Sequence, residues 1–272
     1  MSKKRKSYEE LCFTDDFMFS KILQSNPEIC KKIIEICTGK KISKIEYPDV
    51  QKAVHITADS KGVRFDVYTE DESDTIYDVE MQVANTGNLS KRSRYYQGMI
   101  DLETLQHGGN YRDLKKTYII FICMFDPFKK YITKYTFENT CHEVEGLILG
   151  DDAKIVFINP FAPKPGASDD ERAFYSFLQG QVLDLPFAKI LDDSVRKARL
   201  HEEWKVEYMS LLLRDQDNYN QGYDTGKEEG KEEVRKEMLI NLLTKTDMTT
   251  DEIARITNIP KNIIEAEKEN LN

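Results

Sequence analysis

The most constraining feature of the chain is a pair of alternating segments separated by an acidic stretch. Gly62-Val-Arg-Phe-Asp-Val-Tyr68 puts Val63, Phe65 and Val67 in one row and Arg64, Asp66 and Tyr68 in the other. Ile76-Tyr-Asp-Val-Glu-Met-Gln-Val83 repeats the pattern, with Tyr77, Val79, Met81 and Val83 against Asp78, Glu80 and Gln82. Successive strand side chains point to opposite faces, so each segment reads as a strand with one apolar row. Glu70-Asp-Glu-Ser-Asp74 is turn-like, which makes the pair a β-hairpin. Directly opposed residues share a face, so the apolar rows meet on the core side and the polar rows on the other. A turn inside residues 70–76 sets Asp66 opposite Glu80 or one pair away, with Cβ atoms about 4.5–5.5 Å apart.

Two carboxylates that close repel unless they share a proton or a cation. A hard divalent ion with oxygen ligands, Mg²⁺ first, is the economical partner. Such an ion lowers the pKa of a bound water and stabilises charge on a phosphate. Gln82 lies on the same face and can orient a water or touch a phosphate oxygen, but a neutral amide is no general base. Backbone carbonyls near Met81 can complete a metal shell. The alternative is ordinary: antiparallel strands often have a wet face that carries charge.

Around the hairpin the pattern switches to helices and apolar strands. Thr14 or Asp15 caps a first helix carrying Phe17, Met18, Ile22 and Leu23. A second runs from about Pro27 to Cys37 and stops at Thr38-Gly39. Ser90 to Gln106 reads as a helix with Tyr95, Met99 and Leu102 on one face and Tyr95 in the core. Lys91, Arg92 and Arg94 crowd its first turn, where free N–H groups and cations together suit an anion. Strands are expected at Thr117–Phe125, Tyr131–Phe137 and Ile155–Ile158. After the loop Pro160–Gly166 the chain is helical: 169–179, then a long charged helix from Phe187 through Tyr208 to Leu213.

Gly222, Gly226 and Gly230 sit in a charged, weakly helical linker, since glycine costs about 1 kcal/mol per helical position. Thr249-Thr-Asp-Glu252 is a capping-box pattern opening a small helix-turn-helix-like unit with Ile253, Ala254, Ile256, Ile263 and Ile264 as its apolar face. The expected divisions are a core at 1–165, a helical extension at 166–215, the linker at 216–245 and the final unit at 246–272.

Charge limits the partners. The 272 residues carry a net charge of -9. Residues 1–150 hold 22 Lys/Arg against 23 Asp/Glu, so the acidity belongs to the C-terminal part. Contact with a polyanion must then be confined to a cleft. No apolar run reaches the ~18 residues of a membrane span, and the five cysteines form no CxxC pair. A soluble, cytoplasmic protein without disulfides or a zinc site is expected. The four histidines have no ligand-like spacing. The acidic second helix of the final unit favours packing or self-association, here a homodimer through the C-terminal helices, over DNA reading.

Arg64-Phe-Asp66 and Asp78-Val-Glu80-Met-Gln82 together resemble the active-site motif of the PD-(D/E)XK nuclease superfamily. More narrowly, they resemble the Rpn-type recombination-promoting nucleases, also called PD-(D/E)XK family transposases. The resemblance extends to Asp16-Phe-Met-Phe-Ser-Lys-Ile-Leu23, Arg94-Tyr95-Tyr96, Gly109-Asn-Tyr111, the glycine-spaced tail and the final helical unit. It implies an α/β fold, a restriction-endonuclease-like mixed sheet flanked by helices with a helical C-terminal extension, and a bacterial enzyme of mobile or defence loci cleaving DNA with Mg²⁺, Mn²⁺ being a substitute. Carried over, Asp66 and Glu80 are metal ligands, and Gln82 stands where the motif usually has lysine, completing the catalytic set. Phe65 stands where the superfamily name has proline. Arg92, Arg94 and Tyr96 are candidate substrate contacts. Asp16 is a candidate third carboxylate, although acids at a helix start are equally well explained by the dipole. The competing functions are a catalytically inactive DNA-binding or regulatory member, and a protein-interaction scaffold using the acidic helical tail.

Overall fold

The computed structural model describes residues 6–46, 49–50, 53–54, 63–105 and 107–271. Gly62 and Gln106, the expected ends of a strand and a helix, lie outside them. The chain forms two compact units, residues 1–205 and 206–272.

The first unit is built on a six-stranded mixed sheet ordered β1-β4-β5-β6-β8-β7. The strands are β1 (Asp49–Val50), β4 (Val67–Glu70), β5 (Ile76–Gln82), β6 (Thr117–Cys123), β7 (Lys134–Phe137) and β8 (Ala153–Ile158). β2 (Ala53–Val54) and β3 (Val63–Arg64) form a separate antiparallel pair. β4 and β5 are the expected hairpin arms, with Val67 opposite Val79 and Tyr68 opposite Asp78. β5, β6 and β8 run parallel. Parallel neighbours need a long crossover, and α3 (Leu89–Thr104) supplies it between β5 and β6.

Helices cover both faces, so the centre of the sheet is dry. α3 packs Leu89, Tyr96, Met99 and Ile100 against Tyr68, Ile119, Phe121, Cys123 and Phe157. The opposite face meets α1 (Asp16–Ser25) and α2 (Pro27–Thr38). α4 (Asp169–Leu178) packs on α2, and α5 (Pro186–Arg199) on α1 and α4. Gly39 ends α2 at φ +76°, a left-handed conformation that glycine adopts without a Cβ clash. Every residue of β5 is buried. Its polar row is therefore covered by α3 rather than wet.

Three expectations are corrected. Val63 and Phe65 do not share a row with Val67. Phe65 and Val63 join the cluster under α3 with Tyr68, while Val67 pairs with Val79 on the other face. Phe65 and Asp66 belong to no strand, and this break between β3 and β4 reverses the alternation. On α3 the buried positions are Leu89, Ser93, Tyr96, Met99 and Ile100. Tyr95 and Leu102 fall on other sides of the helix, Tyr95 about 100° from Tyr96 and Leu102 about 200° from Ile100, and are exposed. The long charged helix is two: α5 stops at Arg199, and α6 spans Glu202–Lys245 through all three spaced glycines.

The second unit is helical. The distal part of α6, α7 (Thr250–Thr257) and α8 (Lys261–Asn270) close over Leu239, Ile253, Ile259 and Ile264. The capping box forms: Thr249 Oγ1 accepts from the Glu252 N–H at 3.3 Å, and Glu252 accepts from the Thr249 N–H at 2.8 Å. Asn258 turns the chain at φ +54°, and its N–H bonds Ala254 O. Ile256 and Ile263, expected in the apolar face, are exposed, and Ile259 joins the core instead.

Candidate active site

The break after β3 is the centre of the site. Beyond Val67–Val79 the ladder stops, and side chains take over its hydrogen bonds. The Asp66 N–H donates to Glu80 Oε1 at 2.9 Å. The Met81 N–H donates to Asp66 Oδ2 at 3.1 Å. Glu80 thus satisfies the Asp66 N–H and Asp66 a donor of β5, and the pair is fixed before any ligand arrives.

Burial holds Asp66 well above the usual carboxylate range, and the charges of Glu80 and Asp16 add to the shift. Burial also raises Glu80, against the pull of Arg92. Asp78, wholly buried one rung behind, has no hydrogen-bond donor to either oxygen. Burial first, then the Glu80 charge, raise it well above the usual range.

Asp66 and Glu80 line an open cleft of about 540 Å³, together with Arg64, Asn88, Lys91, Arg92, Tyr95 and Tyr96. Asp16, the first residue of α1, is exposed and reaches Arg64 at 3.6 Å. It stands near enough to Asp66 to raise it.

Arg92 does not simply face the solvent. Its Nη2 donates to Glu80 Oε2, and its Nη1 donates to Gln82 Oε1 at 3.0 Å. The guanidinium lies over the rings of Tyr96 and Phe121, at 5.0 and 5.4 Å. Gln82 is turned inward: its Nε2 donates to Met81 O at 3.0 Å, so that carbonyl already has a partner. Arg94 is exposed on α3 and does not line the cleft. Tyr95, expected in the core, is exposed at the cleft surface, while Tyr96 lines the same cleft and is otherwise buried. Lys91, one of the expected first-turn cations, lines the cleft, and so does Arg64, for which no role was expected. The signal for Arg64 is position alone, two residues before Asp66.

Oxygen donors from two carboxylates suit Mg²⁺, which usually keeps several waters and takes one or two protein carboxylates plus substrate phosphate. Among the described residues no cluster of three or more His, Cys, Asp or Glu forms a full metal cage. The protein would therefore supply part of the shell. No helix among the described residues is long and apolar enough to cross a membrane.

A family model described as PD-(D/E)XK nuclease family transposase matches residues 14–164. No curated protein and no solved structure matches the chain. The matched segment holds β5, the Asp66–Glu80 pair and α3, and it covers more than half of the chain: this protein belongs to the PD-(D/E)XK nuclease family transposases.

Proposed function

We propose that the protein is a Mg²⁺-dependent DNA endonuclease that hydrolyses phosphodiester bonds, of the Rpn recombination-promoting type. The observation that carries this reading is the interlocked Asp66–Glu80 pair, both raised first by burial, at the wall of a cleft with three cations. Asp66 and Glu80 would hold the ion, with Asp16 as the third carboxylate at its margin. When bound, the ion would polarise the phosphate and acidify a water. Arg64 and Lys91 neutralise backbone phosphates locally, which a chain of net charge -9 needs for DNA to approach. Tyr95 offers a ring at the cleft surface for a base or sugar. Arg94, exposed on the same helix, is assigned to the flanking strand. Tyr96 fixes the seat of α3, and so the place of Arg92.

Plasmid incubated with purified protein and Mg²⁺ or Mn²⁺ tests the reading. Nicking that disappears in Asp66→Ala and Glu80→Ala, at unchanged fold, supports it. A second reading, DNA binding without cleavage, draws on the Arg92–Glu80 pair, which already compensates one carboxylate. It predicts DNA retention with no nicking under either ion.

A further inference from the structure

The face of β5 toward α3 carries Ile76, Asp78, Glu80 and Gln82 and no positive charge. Asp66 and Asp16 add negative charge to the same place. The cation bonded there comes from the helix. Arg92 touches Glu80 Oε2 and Gln82 Oε1 with two nitrogens of one guanidinium, so its charge lies at the tip of side chain 82. Its position is over-determined: Tyr96 and Phe121 present ring faces to it, and Phe121 is the β6 residue in register with Glu80. Arginine stays charged in such a setting, and its planar fork matches two acceptors at once.

We propose that Arg92 and Gln82 act as one unit, in which α3 supplies the fixed cation of the site and the Gln82 amide aims it. A lysine at position 82 would place its ammonium in the same space; here the charge is delivered across the sheet–helix interface. Resting on the nuclease reading, the role of this charge is electrostatic: a half-buried guanidinium beside Glu80 opposes negative charge building on the phosphate. Glu80 is kept aligned by the same bond. Arg92 is thus a positioning residue for Glu80 and a charge donor toward substrate.

The test moves the charge back to the strand. Gln82→Lys is made in the wild-type and Arg92→Ala backgrounds, and melting temperature and plasmid nicking are measured on the full chain. Beside Arg92 the added lysine brings two cations together and lowers the melting temperature. In Arg92→Ala it restores a partner to Glu80 and raises it. This reversal of sign needs no catalysis. In nicking, Arg92→Ala loses about 100-fold, the scale of one lost electrostatic donor, and Arg92→Ala with Gln82→Lys recovers to within about tenfold of wild type. A shift of the same sign in both backgrounds overturns the shared-charge unit whether or not the protein cuts DNA. Failure of the wild type to nick, with the sign reversal intact, overturns the nuclease reading and leaves the unit standing. Nicking by wild type that Arg92→Ala does not reduce removes the catalytic part of the proposal.

Discussion

Asp66 and Glu80 are joined by a side chain–backbone bond in the place where the β4–β5 ladder would have its next rung, Asp66 N–H to Glu80 Oε1 at 2.9 Å. The strand break therefore leaves no unsatisfied donor at Asp66, and it sets both carboxylates at a cleft wall. A regular rung would have given that N–H to a backbone carbonyl and left Glu80 without this anchor.

Asp66→Asn keeps the shape of the side chain and its acceptor for the Met81 N–H while removing one charge from a repelling pair. We expect the metal-free protein to melt at the same temperature or higher, and plasmid nicking to fall about 100-fold or more. Calorimetry and gel assay on the same preparation check both. A lowered melting temperature with nicking intact would show that the charge serves stability alone.

Asp66, Asp78 and Glu80 are all raised in the folded chain. A raised carboxyl binds its proton more tightly folded than unfolded, so stability is fully present at acid pH. It is lost as pH climbs from the ordinary carboxylate range through the folded values. The melting temperature of the metal-free protein should fall over that window, and the gain on adding Mg²⁺ should grow. Scanning calorimetry across the window, with and without Mg²⁺, measures it. A Mg²⁺ gain independent of pH contradicts the shared-charge picture.

Tyr96 and Tyr95 separate core from surface. Tyr96 is 9% exposed and packs edge-on against Phe65 at 5.2 Å, whereas Tyr95 is 41% exposed. Tyr96→Ala should cost about 3 kcal/mol, the scale of a truncated core aromatic. Tyr95→Ala should cost about 0.5 kcal/mol or less and weaken DNA retention. Urea denaturation and a filter-binding assay read the two effects.

In the second unit, Ile264 is fully buried and its neighbour Ile263 is half exposed. Ile264→Ala should destabilise residues 206–272 by about 2–5 kcal/mol, and Ile263→Ala by about 0.5 kcal/mol or less. Hydrogen exchange on the full chain, followed in α7 and α8, distinguishes them. Equal loss of protection would move the core of this unit to the other side of α8.

The sequence makes the β4–β5 pairing legible because both arms alternate over several residues, and that register carries forward to Asp66 and Glu80. It makes α1, α2 and the Thr249 capping box legible because helix ends have local chemistry. The reversal at Phe65 was hidden: a two-residue interruption has no period, and Val63, Phe65 and Val67 read as one row. Tyr95 was misplaced in the core because α3 has aromatic and apolar residues on adjacent stripes, and only the sheet beneath it selects one. The bond from Arg92 to Glu80 lay beyond reach for the same reason. It depends on how α3 is seated over β5 and β6, which neither segment encodes alone. β1 and β2, each two residues long, are too short to show alternation.

The most direct measurement is a crystal of the protein soaked in Mn²⁺, with anomalous difference density computed around β5. The account predicts one strong peak between the carboxylates of Asp66 and Glu80, lost in Asp66→Asn. A soaked crystal with no peak there, and with Arg92 still bonded to Glu80, would contradict it.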